Sequence, residues 1–202
     1  MQPGGAGPSW ISATSGELQW MDIQDPTPED MVRLSKQYPF HPLNLEDCLS
    51  KRQLPRVEDH DSYLFILMHF PSVSGDGIVS RDQVSMFVGP GYVVSIHGSA
   101  LGVVREMAEA AKSRAGRSDS KSPARLVYAI VDGLVDRMFP LLDKLRDELD
   151  SVEDEVFHGK ISVAGKINDL RRRIADMRRI VLPLRRTRLT RPSRYTRTQT
   201  SS

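Results

Sequence analysis

The chain has 202 residues, of which 39% are hydrophobic and 27% charged, the balance of a globular protein rather than a disordered one. No apolar run approaches the roughly 20 residues of a membrane-spanning helix. The small-residue start lacks the basic and apolar segments of a secretory signal, and the single cysteine, Cys48, excludes an internal disulfide.

The net charge of +2 hides a split: residues 171–202 hold eleven arginines against one acid, Asp176, so the first 170 residues carry −8. An acidic body attracts cations; a basic end attracts phosphate, lipid headgroups or another protein.

Residues 1–15, rich in Gly, Pro and Ser, read as a mobile leader. Residues 18–23 read as a short strand ended by Asp25-Pro26. Thr27-Pro28-Glu29-Asp30 is a helix start, with Thr27 as N-cap, Pro28 in the first helical position and acids in the first turn. That helix should reach Tyr38, where Pro39 and Pro42 break it, and a second short helix covers 43–49. Residues 52–58 read as a basic connection, 62–70 as an apolar strand, and 71–77 as a turn-rich loop. Residues 81–88 and 92–96 form a hairpin about Gly89-Pro90-Gly91. An amphipathic helix over 100–113 and a loop over 115–123 follow.

Beyond residue 122 the pattern changes. Leu134, Met138, Leu141, Leu145, Leu149, Val152 and Val156 recur in steps of three and four. Ile167, Leu170, Ile174, Met177, Val181 and Leu184 do the same. These are two long amphipathic helices, parted at His158-Gly159-Lys160 and expected to pair antiparallel, with Pro140 kinking the first or removing one hydrogen bond. The expected architecture is α/β with α+β character: a small mixed, largely antiparallel sheet flanked by helices (16–121), then a long antiparallel helical hairpin (122–186). A basic tail (187–202), without apolar period, is expected to be disordered.

The first long helix carries Asp132, Asp136, Asp143, Asp147, Asp150 and Asp154. At about 100° per residue they fall within an arc of roughly 60°, opposite the apolar set. Hard divalent cations take oxygen ligands, and Mg²⁺ gives up its water reluctantly, so a carboxylate ridge suits a hydrated ion. A solvated outer face explains any single aspartate equally well. Six aspartates in register, where Glu is the better helix former, favour the cation reading. Lys144 and Glu148 are spaced as a surface pair.

Other chemistry finds little support. The five histidines, His41, His60, His69, His97 and His158, show no zinc spacing, Cys48 has no CxxC partner, and neither a phosphate-binding loop nor a catalytic constellation is present. No catalysis and no bound cofactor are expected. The arginines of 171–179 suit a solvated helix face, and the tail has only Tyr195 for base stacking, so a nucleic-acid partner is disfavoured.

Several segments together resemble the N-terminal domain of the CorA family of magnesium and cobalt transporters. These are Phe40-His41-Pro42-Leu43 with Leu45-Glu46-Asp47, Arg52-Gln53-Leu54-Pro55-Arg56-Val57-Glu58 with Tyr63-Leu64-Phe65, and Gln83-Val84-Ser85-Met86-Phe87-Val88-Gly89 with Tyr92-Val93-Val94-Ser95-Ile96-His97. They continue in Ile130-Val131-Asp132-Gly133-Leu134-Val135-Asp136 through Phe139-Pro140-Leu141-Leu142-Asp143, and in Leu170-Arg171-Arg172 to Leu182-Pro183-Leu184-Arg185. The resemblance implies a homopentamer whose cytoplasmic domain and acidic hairpin precede a stalk, two membrane helices and a Gly-Met-Asn pore motif, none of which occurs in this sequence. It further implies a cytoplasmic sensing part that meets the membrane only through segments outside this sequence. Mg²⁺, or Co²⁺, would be the transported or regulatory ion. Asp136 and Asp143 lie in the best-matching segment and rank first. The other classes weighed are a stand-alone regulator or assembly partner of a full-length transporter, and a basic-tail adaptor for nucleic acid or lipid.

Overall fold

The computed structural model describes residues 10–50, 52–74, 77–113, 122–158 and 163–184. Six strands form one sheet: β1 (Trp10–Ser15), β2 (Leu18–Gln24), β3 (Arg56–Asp59), β4 (Leu64–Val73), β5 (Val79–Gly89) and β6 (Tyr92–His97). The spatial order is β1-β2-β6-β5-β4-β3. Among the described residues only the interior β2–β6 pair is parallel. Helices α1 (Pro28–Gln37) and α2 (Pro42–Leu49) cover one face. A short 3-10 turn, Ser99–Leu101, leads into α3 (Val103–Ser113), which covers the other face with α4 (Pro123–Asp136) and the end of α6 (Val163–Leu184); α5 is Phe139–Phe157. The expected mixed, largely antiparallel sheet flanked by helices and followed by a helical hairpin is the observed architecture.

Strand alternation sorts the core. Ile66, Met68 and Phe70 of β4 and Val84, Met86 and Val88 of β5 face α3 and α4, meeting Val104, Ala108, Ile130 and Leu134. Phe65, Leu67 and Phe87 face α1 and α2, meeting Met31, Leu34, Leu45 and Cys48. Phe40, in the link between those helices, stacks on Phe87 with ring centroids 4.0 Å apart. Helix α1 starts as its sequence dictates: Thr27 accepts from the Asp30 backbone N–H while the Asp30 side chain accepts from the Thr27 backbone N–H, a complete capping box. In the β5–β6 turn Pro90 precedes Gly91 at φ 77°, the left-handed conformation this position requires.

Four sequence expectations need correction. Residues 10–15 are a strand, not part of a leader: Ile11 and Ala13 are buried against the sheet's core, and the Trp10 indole N–H donates to Asp30. Residues 1–9 and 187–202, expected to be mobile, lie outside the described residues. The connection at 52–58 contains β3, which pairs with β4 between Arg56↔Leu67 and Asp59↔Leu64. The loop expected at 71–77 begins later, because β4 and β5 stay paired out to Val73↔Val79. The first long helix is two helices: Pro140, without an N–H, cannot donate to the Asp136 carbonyl, and the chain turns at Arg137–Met138 before α5 begins.

Candidate metal-sensing surface

Asp132 and Asp136 stand on α4, and Asp143, Asp147, Asp150 and Asp154 on α5; all six are exposed. The opposite side of α5 is apolar. Leu145 and Val152 are buried, and Leu145 packs with Leu170 and Met177 of α6. The sequence thus builds a ridge by periodicity: one stripe is fixed against α6 and the aspartates are carried to the outside. Two ion pairs clamp the hairpin, Glu148 to Arg173 and Glu155 Oε1 to Lys166 Nζ at 2.7 Å. Glu148 therefore reaches across to α6 rather than to Lys144.

Among the described residues none of the six aspartates is in an ion pair. Nor, among them, do three His, Cys, Asp or Glu side chains converge closely enough to chelate a bare ion. What the ridge offers is a row of unneutralised carboxylates with solvent in front of it, suited to a cation that keeps its water shell. The turn at Arg137 separates the Asp132–Asp136 pair from the four on α5. Its guanidinium turns aside to Glu106 Oε2 at 2.6 Å.

Sequence reading missed two polar constellations. Asp22, fully buried on β2, accepts from the Ser95 hydroxyl, which in turn accepts from the Trp20 indole N–H at 2.9 Å. His97 Nε2 lies 3.2 Å from Asp22 Oδ1, its Nδ1 lies 2.8 Å from the Gly98 carbonyl, and Arg105 Nη1 approaches Asp22 at 3.8 Å. The hint was a lone Asp at an inward position of an otherwise apolar alternation, Leu18-x-Trp20-x-Asp22. Its partners are more than 70 residues away and carry no local signal. On the second face Arg56 bridges Asp47 and Glu58, and Asn44 Nδ2 donates to Glu58 at 2.9 Å. Burial would raise the Glu58 pKa, but the hydrogen bonds from Arg56 and Asn44 and the Arg56 charge outweigh it and hold it below the usual range.

Nearby, a cleft of about 250 Å³ lies where β6 ends, lined by Asp25, Cys48, Asp82, Gln83 and His97 among others. Its carboxylates have work within the fold: Asp82 accepts from the Ser72 hydroxyl, and Asp25 from the Ser99 backbone N–H at 2.8 Å. Burial pushes the Cys48 thiol up to about 12, leaving it an inert core thiol.

The sequence profile described as "CorA-like Mg2+ transporter protein" matches residues 15–199. The chain belongs to the CorA-like family. It is 29% identical over 170 residues to the "Putative metal ion transporter YfjQ" of Bacillus subtilis, covering 82% of this chain and 51% of that one. It is 30% identical over 169 residues to the "Cobalt/magnesium transport protein CorA" of Thermotoga maritima, covering 82% of this chain and 48% of the relative. The chain therefore spans about half the length of these relatives. Among solved structures, the soluble domain of CorA from Methanocaldococcus jannaschii superposes with a TM-score of 0.70 at 21% identity, covering 85% of this chain and 68% of that chain. The full-length CmaX protein gives 0.71 at 22% identity, covering 84% and 52%. These likenesses establish the fold shared with the soluble domain of a CorA-like chain. No helix of the described residues is long and apolar enough to cross a membrane.

Proposed function

We propose that this CorA-like chain is the divalent-cation-sensing part of a metal-ion transporter, acting on the cytoplasmic face of a membrane, and that Asp132, Asp136, Asp143, Asp147, Asp150 and Asp154 attract the ion. One observation carries the reading: in a family named for Mg²⁺ transport, six aspartates lie exposed on α4 and α5 with no neutralising partner among the described residues, while Glu148 and Glu155 beside them are paired. Mg²⁺ or Co²⁺ is the transported or regulatory ion. It is held through its hydration shell or shared between copies of the chain, because one copy supplies no chelating cluster among its described residues. Passage across a bilayer is assigned to segments beyond these 202 residues, and assembly into a ring of copies completes the sensor.

Isothermal titration of the chain with MgCl₂ tests the assignment. The wild type is expected to give saturable heat that is lost in Asp136→Asn/Asp143→Asn; unchanged heat in that double variant removes the ridge from the sensing mechanism.

A further inference from the structure

The parallel β2–β6 pair places a second candidate site at one end of the sheet. The two strands run side by side from Gln19↔Tyr92 to Gln24↔His97. Their chains then part: β2 leads to α1 on one face, and β6 leads through Leu101 to α3 on the other. Where neighbouring parallel strands send their connections to opposite faces, a crevice opens beyond their carboxyl ends, and open α/β sheets bind ligands there. The cleft of about 250 Å³ lies at this point. Asp25 and Pro26 line it from the end of β2, Gly98 from the end of β6, and Leu49 and Asp82 from α2 and β5. Every lining residue falls between positions 25 and 98, so the cleft involves neither the α5–α6 hairpin nor the aspartate ridge. Its volume is that of roughly eight waters, room for a molecule of about six to eight non-hydrogen atoms.

The lining selects the occupant. It includes two carboxylates and no lysine or arginine. Each carboxylate gives one oxygen to the fold, Asp25 Oδ1 to the Ser99 backbone N–H at 2.8 Å and Asp82 Oδ2 to the Ser72 hydroxyl, and keeps the other. Asp25 stands in the left-handed conformation at φ 51°, held there by the Ser99 bond and by its own N–H, which donates to the His97 carbonyl at 2.8 Å. Its carboxylate is thus fixed at the cleft before any ligand arrives. Neighbouring donors are already engaged: the Gln83 amide donates to the Asp47 carbonyl at 2.7 Å and to the Ser85 hydroxyl at 3.1 Å. A ligand therefore has to bring positive charge and its own N–H groups. Pro26, Leu49 and the Cys48 thiol add apolar lining, which suits an alkyl chain better than a hydrated metal ion. Among the described residues no three His, Cys, Asp or Glu side chains converge to chelate a bare ion either. We propose that this cleft binds a small aliphatic ammonium ion, a short diamine protonated at both ends, with Asp25 and Asp82 accepting from its two ammonium groups. The site stands whether or not the ridge senses a metal ion.

Isothermal titration of the full 202-residue chain with 1,4-diaminobutane dihydrochloride, at constant ionic strength, tests this. Saturable heat with one site per chain is expected. Asp82→Asn and Asp25→Asn should each weaken binding by about tenfold or more. Asparagine tolerates the left-handed conformation and can still accept from Ser99, and circular dichroism checks that both variants stay folded. If Asp25→Asn does not fold, Asp82→Asn decides alone. Asp136→Asn/Asp143→Asn should bind the diamine as wild type does. No saturable heat from wild type overturns the proposal, as does unchanged binding in Asp82→Asn or binding lost in the ridge variant. So does MgCl₂ that displaces the diamine and gives heat of its own that Asp82→Asn abolishes, which would make the occupant a hydrated metal ion.

Discussion

At the scale of single residues, the buried histidine on β4 gives a pH signature. His69 is buried on the α1–α2 side of the sheet, and among the described residues its Nε2 has no hydrogen-bond partner. Burial and the nearby Arg81 charge depress its pKa to about 4, against the weaker opposing pulls of Gln83 and Asp82. The folded protein thus keeps His69 neutral where the unfolded chain, with a value near 6.5, binds a proton. Between those values the unfolded state holds more protons, so this contribution is complete above pH ~6.5 and falls as pH drops toward 4, by at most roughly 3 kcal/mol. Urea denaturation at pH 7 and pH 5 should show wild type losing about 2 kcal/mol more over that interval than His69→Gln; equal losses would place His69 in contact with water. The position of His69 was legible only as a polar residue in an apolar run, since its neighbours on β5 are set by strand register.

Elements differed in legibility for a physical reason. Helix α1 announced itself through Thr27, Pro28 and Asp30, because capping is local chemistry written in adjacent residues. Removing the cap hydroxyl in Thr27→Ala should lower stability by about 1 kcal/mol, read as a shift in the urea midpoint with unchanged slope; no shift would mean that packing alone holds the start of α1. The hairpin of β5 and β6 was equally plain from its alternation and its Gly-Pro-Gly turn. Strands β1 and β3 were not. Among the described residues both are sheet edges with one partner each, β1 hides only Ile11 and Ala13, and β3 buries no residue fully. An edge strand bears little of the core and so carries little pattern. The aspartate ridge was readable because exposure follows the same helical period as burial. The Asp22–Ser95–His97 cluster was not, because the parallel β2–β6 pairing that assembles it is non-local.

For the whole molecule, the uneven charge makes stability respond to the kind of cation as well as to ionic strength. Three pairs on the ridge, Asp132–Asp136, Asp143–Asp147 and Asp150–Asp154, stand one turn apart on exposed helix faces, and like charges so spaced oppose helix formation by about 0.2–0.5 kcal/mol each. Monovalent salt screens that repulsion diffusely. A divalent ion held along the ridge in the folded state adds linkage, about 1.4 kcal/mol at ten times its dissociation constant, which for a chain of this size is a rise of roughly 3–6 °C in Tm. MgCl₂ should therefore raise the Tm above the value in NaCl of equal ionic strength. Asp136→Asn/Asp143→Asn should lose that increment while melting no lower than wild type without Mg²⁺, because it also removes repulsion. An equal rise in both salts would reduce the ridge to a screened surface. A rise with MgCl₂ that survives the double substitution would move the ion to other carboxylates of the acidic body.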